Sequence, residues 1–304
     1  MECGSDGYGR IGHCATEKQG KRNRETLPAS LAAILPGGVS AATGSIPAEN
    51  LVLKGGLFIY TLTNFESRAT VDIDFLLRQF PGTIEDIKRM VDEIIATDSD
   101  NDFITFSSRG FETISPQRKY TGVSFQLVGQ IKNTRTPFDV DFGVGDVIVP
   151  NSHRRAIPVQ LDGFDVPEVL TYSLESTIAE KFDALLQRLE LTSRMKDIYD
   201  IYYLSSMFDF DGRALQQAVF ETLQNRGTAY ERDSFDRVIA LAHNKDIQIR
   251  WRQYLRRLKM PELVLEEVMH SIDAFLRPVW DAITNESELL HTWHSQSGLW
   301  SNSQ

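Results

Sequence analysis

Two short stretches constrain this chain more than anything else in it. Val71-Asp72-Ile73-Asp74-Phe75 and Phe138-Asp139-Val140-Asp141-Phe142 both alternate apolar with acidic residues. A period of two is strand chemistry, with apolar side chains on one face and carboxylates on the other. Alternate strand residues lie about 6.6 Å apart and point the same way. Two carboxylates so placed can share a pair of divalent cations about 3.5–4 Å apart, as in-line phosphoryl or nucleotidyl transfer requires. A third carboxylate must then come from a neighbouring strand, and the second stretch offers Asp141, with Asp139 as the alternative. Each stretch alone also reads as the wet face of a half-exposed strand; two in one α/β unit make chance less attractive and leave convergence and a solvated face both open.

The segments around them set the fold class. Leu51-Val52-Leu53 leads through Lys54-Gly55-Gly56 into an apolar helix over Leu57 to Leu62. Glycines before a helix let the backbone approach phosphate oxygens, and the helix N-terminus favours anions. As a bare turn the pair means little; its place shortly before Asp72 gives it weight. Ile84 to Ile95 carries an apolar stripe at helical spacing. Strands are expected at Val123 to Ile131 and Phe138 to Val149. From Ser173, a natural N-cap, the pattern is helical, with further helices at 195–207, 213–225, 232–242, 246–258 and 262–283. The reading is therefore α+β: a loosely ordered segment 1–48, a mixed α/β domain 49–165, a helical domain 166–285 that completes the site, and a polar tail 286–304 broken by Trp293 and Trp300.

Two helical residues belong with the acidic strands. Lys181 flanks the Ile178, Phe182, Leu185 stripe, where it either snorkels over the core or reaches a triphosphate. Asp197 shares a stripe with Ile201 and Leu204, so it faces inward and needs a cation beside it: Lys181, Arg194, Lys196 or a ligand's counter-ion. Arg250, Arg252, Arg256, Arg257 and Lys259, interleaved with Trp251 and Tyr254, read as a solvated basic face or as a phosphate-backbone contact.

Composition excludes other classes. Cys3 and Cys14 are the only two cysteines, too few for a disulfide framework and consistent with a reducing cytoplasm. No apolar run is long enough to span a membrane, and the N-terminus lacks a secretory pattern. A net charge of −10 argues against broad nucleic-acid coating while leaving room for a local basic groove. His291 and His294 are three apart, the helical spacing of a metal pair, though a surface pair near a frayed end fits as well.

Taken in order, Lys54-Gly55-Gly56, Arg68-Ala69-Thr70-Val71-Asp72-Ile73-Asp74, Phe138 to Asp146, Tyr172-Ser173-Leu174-Glu175 with Ala179-Glu180-Lys181, and Arg194-Met195-Lys196-Asp197-Ile198-Tyr199-Asp200 resemble the AbiEii-type nucleotidyl transferases, the toxin half of AbiE-like toxin–antitoxin systems. The resemblance runs from about Leu51 to Ile283. It implies a nucleotidyltransferase-like α/β domain before a helical domain, with the site between them. By the same resemblance Gly55 and Gly56 form the phosphate-side loop, and Asp72, Asp74 and Asp141 hold Mg2+. Lys181 would contact the nucleotide phosphates, Asp197 would be the essential aspartate of the Lys-Asp-x-Tyr-Asp motif, and Arg68 a phosphate or structural contact. The implied substrates are an NTP and an RNA acceptor, foremost the tRNA 3′ end, and the implied partner is an antitoxin, often a DNA-binding repressor. The spacing from Gly56 to Asp72 is longer than in the broad nucleotidyltransferase pattern. Transfer to a small molecule or protein side chain, and a decayed site that only binds, stay open as alternatives.

Overall fold

The computed structural model describes residues 48–79, 83–96, 104–114, 122–158, 166–188 and 194–302. The segment expected to be loosely ordered, with both cysteines, lies almost wholly outside the described residues, as does the expected domain boundary at 165.

The first half is a seven-stranded mixed sheet of order β3-β4-β5-β2-β1-β7-β6. Its strands are β1 (Leu51–Lys54), β2 (Ile73–Leu77), β3 (Ile104–Ile114), β4 (Gly122–Ile131), β5 (Thr134–Val144), β6 (His153–Ala156) and β7 (Glu168–Thr171). Both acidic stretches are strands, and they are neighbours: β2 runs parallel to β5 with Asp74 opposite Asp141. The apolar members of the alternation, Ile73, Phe75, Val140 and Phe142, are buried. Helix α2 (Ile84–Ala96) closes over this face, where Val91, Ile94 and Ile95 meet Phe75, Val140 and Phe142. The period of two thus separates a greasy face under α2 from a charged face opposite it. Helix α1 (Gly55–Leu62) leaves β1 without a connecting loop. Four strands of this sheet, β1, β3, β6 and β7, fall outside the sequence expectation. Their stretches lack clean alternation; β3 is bulged at Ser108–Gly110 and mostly exposed at the sheet edge, so no buried face imposes a pattern.

The second half is helical as expected, with α3 (Leu174–Arg188), α4 (Met195–Met207), α5 (Gly212–Arg226), α6 (Ser234–Ile239), α7 (Lys245–Leu258) and α8 (Leu265–Thr284). Ser173 caps α3, its Oγ accepting from the Ser176 amide at 3.0 Å. Helix α8 is the hub: Trp280 lies edge-on to Phe182 of α3 at 5.7 Å, and Phe275 is fully buried. Burying such a side chain is worth about 2–3 kcal/mol.

The segment read as a polar tail is folded. Residues His291–His294 and Leu299–Asn302 form a hairpin, β9 and β10, and β9 pairs with the two-residue strand β8 (Phe210–Asp211). Trp293 and Trp300 supply the reason: Trp293 packs tilted on Phe275 at 5.0 Å and Trp300 stacks on it at 6.1 Å. Trp293 Nε1 also donates to the Ser205 carbonyl at 2.7 Å. Because His291 and His294 sit on a strand, three apart points them to opposite faces. His294 bonds Ser301 Oγ at 2.8 Å, and among the described residues no metal-holding cluster includes either histidine.

Candidate active site

The sheet register builds one row of functional side chains. Across the charged face, Ser124 on β4 stands beside Asp141 on β5, Asp141 beside Asp74 on β2, and Asp74 beside Lys54 on β1. Paired residues of adjacent strands project to the same side, with strands about 4.8 Å apart. Asp74 is therefore the centre of the row.

The glycine pair meets this centre directly. Gly55 has φ +71°, and a Cβ added to it would lie 1.9 Å from Asp74 Oδ2. No side chain fits there. A Cβ on Gly56 would fall 3.0 Å from Thr70 Oγ1 and 3.3 Å from Arg68 Nη2. The first turn of α1 thus opens beside Asp74 and Arg68, and Lys54 at its N-cap makes no side-chain capping bond. Unsatisfied first-turn amides are anion donors.

The acidic row is short of positive charge. Burial pushes the Asp141 carboxyl up, Ser124 opposes the shift, and Asp74, Asp72 and Asp139 add to it. Asp72 is raised likewise, by burial first, with Lys196 opposing and Asp74 and Asp139 reinforcing. Asp141 Oδ1 is buried with no hydrogen-bond partner among the described residues. An orphaned carboxylate oxygen inside a group of mutually repelling carboxylates fits a hard divalent cation with oxygen ligands. Asp74 and Asp141 are the side chains placed to hold it. Among the described residues no three such groups already stand at ligand spacing, which leaves waters and substrate oxygens to complete the shell, as magnesium commonly accepts.

A cationic cluster shares the cavity, drawn from the loop before β2 and from the helical half. Arg68 grips Asp200 with Nε and Nη2 at 2.6 and 2.7 Å. Lys181 Nζ lies 2.6 Å from Asp200 and 3.3 Å from Asp197, and Arg194 Nε lies 2.6 Å from Asp197 Oδ2. Three cations thus share two carboxylates. Burial opposes the charge on Lys181, but Asp200 and Asp197 outweigh it and hold its ammonium above the ordinary lysine range.

A second network ties the two halves together. Lys54 Nζ contacts Asp146 at 2.7 Å and Glu180 at 3.0 Å. Arg226, the last residue of α5, reaches Asp146, Glu180 and Asp183 at 2.9, 2.9 and 3.1 Å. Tyr172 Oη donates to Glu180 at 2.8 Å. Adjacent residues of α3 thereby serve different networks: Glu180 is locked to the sheet and α5, which fixes the helix that presents Lys181.

One cavity of about 850 Å³ collects Gly55, Gly56, Arg68, Asp74, Asp141, Lys181 and Asp197 among its lining. Asp72 does not line it; it sits one step before β2, where Lys196 faces it. Of the cations open to Asp197 on sequence grounds, Lys181 and Arg194 pair with it and Lys196 does not. Lys54, Asp146, Glu180, Asp200 and Arg226 carry roles that sequence reasoning missed. Asp200 had a signal, since it lies one turn from Asp197 on an inward face. Arg226 had none, because a basic residue at a helix C-terminus ordinarily needs no other reason.

An acidic sheet row and buried cations lining one cavity, with a glycine-opened helix N-terminus beside them, is the arrangement of a nucleotidyltransferase. The chain belongs to the nucleotidyl transferase AbiEii toxin family of type IV toxin–antitoxin systems, which matches residues 41–278. Membership makes it an NTP-using toxin with an antitoxin partner. The nucleotidyltransferase toxin MenT4 from Mycobacterium tuberculosis H37Rv has a similar fold, with TM-score 0.53 at 17% identity over 89% of this chain and 96% of that one. JHP933 from Helicobacter pylori matches with TM-score 0.45 at 13% identity over 86% of this chain and 95% of that one. A putative nucleotidyltransferase from H. pylori matches with TM-score 0.43 at 13% identity, covering 90% and 100%. No curated protein matches the sequence. Among the described residues no helix is long and apolar enough to cross a membrane.

Proposed function

We propose that this toxin transfers a nucleoside monophosphate from a magnesium-bound NTP to the 3′ end of an RNA, foremost tRNA, in the cytoplasm, and that a DNA-binding antitoxin restrains it. The observation that carries the reading is that one cavity is lined by both the acidic pair Asp74 and Asp141 and the cations Arg68 and Lys181. A triphosphate with its cation is the ligand that satisfies both.

In this reading Asp74 and Asp141 would hold magnesium from inside the cavity, with Asp72, one step before β2 and outside the lining, and Asp139 the alternatives for a third carboxylate. When bound, the cation lowers the pKa of the attacking hydroxyl and neutralises the pyrophosphate. The amides of Gly55 and Gly56 and the Lys181 ammonium take the phosphate oxygens, aligning the α-phosphorus with the acceptor. Asp197 and Asp200 aim Lys181 and keep it charged, while Arg68 is fixed by Asp200 with its Nη2 edge toward the glycines. The acceptor oxygen bonds the α-phosphorus, the bond to the β-phosphate oxygen breaks, pyrophosphate leaves, and the hydroxyl proton passes to the acidic row.

The test is incubation with each α-labelled NTP, magnesium and total tRNA, beside Asp74→Asn. Label entering tRNA with wild type and lost in the variant is the expected outcome. Label entering protein or a small metabolite instead would reassign the acceptor. Failure to bind any NTP would make this a decayed site.

A further inference from the structure

The nucleotide site accounts for the cavity but not for the most basic surface of an acidic chain. On α7, Lys245, Arg250, Arg252, Arg256 and Arg257 are all exposed, and Lys259 follows at its C-cap. At 100° per residue these six occupy the outer half of the helix, and Asp246 is the one acid among them. The whole protein carries a net charge of −10, so the concentration is local.

Two ordinary explanations fall short. Cations in a last turn complement the helix dipole, which covers Arg256, Arg257 and Lys259 but not Arg252 or Lys245. Surface arginines also commonly pair with acids, as Arg213, Arg237 and Arg277 do here. Among the described residues Lys245, Arg252, Arg256, Arg257 and Lys259 make no ion pair. Nor is α7 a membrane-surface helix, because Ile247, Trp251 and Leu255 are buried in the helical layer and the single apolar side chain of its outer face, Ile249, is too little to enter lipid.

The position of the face gives it a meaning. Helix α7 packs on α4, the helix of Asp197 and Asp200, and Tyr254 lies 6.2 Å from Tyr199. Burial pushes the Tyr254 hydroxyl up, Arg68 opposes the shift, and Asp200 and Asp197 add to it. Arg250 and Arg257 stand one turn to either side of Tyr254 on the same stripe. The inner side of α7 therefore rests on the helix that carries Asp197 and Asp200, with Arg250 and Arg257 at the edge of that contact. Arg252, Arg256 and Lys259 form a second row on the other edge of the exposed half, at steps of four and three residues, about 4.5–6 Å of rise, with Ile249 and Gln253 between the two rows. Regular single charges at that pitch suit a polymer of phosphates.

We propose that the outer face of α7 is the track for the phosphate backbone of the acceptor RNA, which delivers its reactive 3′ end to the cavity. This rests on the transfer reading above and adds where the acceptor is held.

The experiment compares wild type with the triple variant Arg252→Glu, Arg256→Glu, Arg257→Glu, and with Arg109→Glu, Arg213→Glu, Arg237→Glu as a charge-matched control elsewhere. A fluorescein-labelled tRNA transcript reports RNA affinity by anisotropy across a salt series, and equilibrium dialysis reports binding of magnesium–NTP. The triple variant should bind the transcript at least tenfold more weakly. Its log–log salt slope should fall by about two, at roughly 0.7 per lost phosphate contact on a single strand. NTP binding and the thermal midpoint should hold, and the control should bind RNA as wild type does. Unchanged RNA affinity and transfer in the triple variant would overturn the track and leave the transfer reading standing. Displacement of the transcript by polyglutamate but not by unlabelled RNA would assign the face to an acidic protein and overturn it too. Wild type that binds NTP but neither binds nor labels RNA would defeat the acceptor reading itself.

Discussion

Arg68 and Asp200, 132 positions apart, meet in a two-pronged ion pair at 2.6 and 2.7 Å, and this joins the loop before the acidic strand to the helix that carries Asp197. Both partners are buried, so removing one charge strands the other. Asp200→Asn should cost about 3–5 kcal/mol at neutral pH, read by urea unfolding. Burial raises the Asp200 carboxyl, but Lys181 and Arg68 overcome it and hold it below its ordinary value. A carboxyl whose folded pKa is depressed contributes stability above its unfolded pKa, about 3.9, and loses it as pH falls through the folded value. Wild type should therefore lose stability below about pH 4 more steeply than Asp200→Asn.

Gly55→Ala should abolish transfer. The new methyl would lie 1.9 Å from Asp74 Oδ2 at a residue with φ +71°, so Asp74 must leave its position. Single-turnover assays should show at least a hundredfold loss, with the fold retained at a cost of about 1–3 kcal/mol. A variant with wild-type turnover would show that the contact between the glycine turn and Asp74 is dispensable.

Asp141→Asn separates cation binding from stability. Burial and three neighbouring carboxylates disfavour its charge, so the neutral isostere should raise the thermal midpoint of the metal-free protein at neutral pH. Magnesium should stabilise wild type by about 2.7 kcal/mol at a hundred times its Kd and stabilise the variant far less. Equal magnesium shifts in both would remove Asp141 from the cation site.

Lys181→Met tests whether that lysine serves chemistry or structure. Asp200 keeps Arg68 and Asp197 keeps Arg194, so the stability loss should be moderate, about 1–3 kcal/mol. The loss of kcat should be a hundredfold or more if the ammonium stabilises charge on the transferring phosphate. A large unfolding penalty with near-normal kcat would make Lys181 a structural residue.

Trp293→Ala should destabilise the helical half by about 3–5 kcal/mol, because the ring is buried against Phe275. Calorimetry of the full chain measures this directly. An unchanged midpoint would mean the C-terminal hairpin is an ornament on the helical layer.

The sequence by itself determined what depends on local period and local chemistry. Alternation made β2 and β5 strands with acids on one face, the apolar stripes gave the helices from Leu174 onward, and Ser173 announced the start of α3. Register and long-range pairing belong to the tertiary structure, because only packing decides which strands lie side by side and which buried charge meets which. Nothing local says that Asp74 stands opposite Asp141, that Asp200 closes on Arg68, or that Arg226 reaches Asp146 from the far end of α5. The polar residues after Glu286 likewise carry too little apolar period to predict a hairpin; Trp293 and Trp300 fold it only because Phe275 is there to receive them.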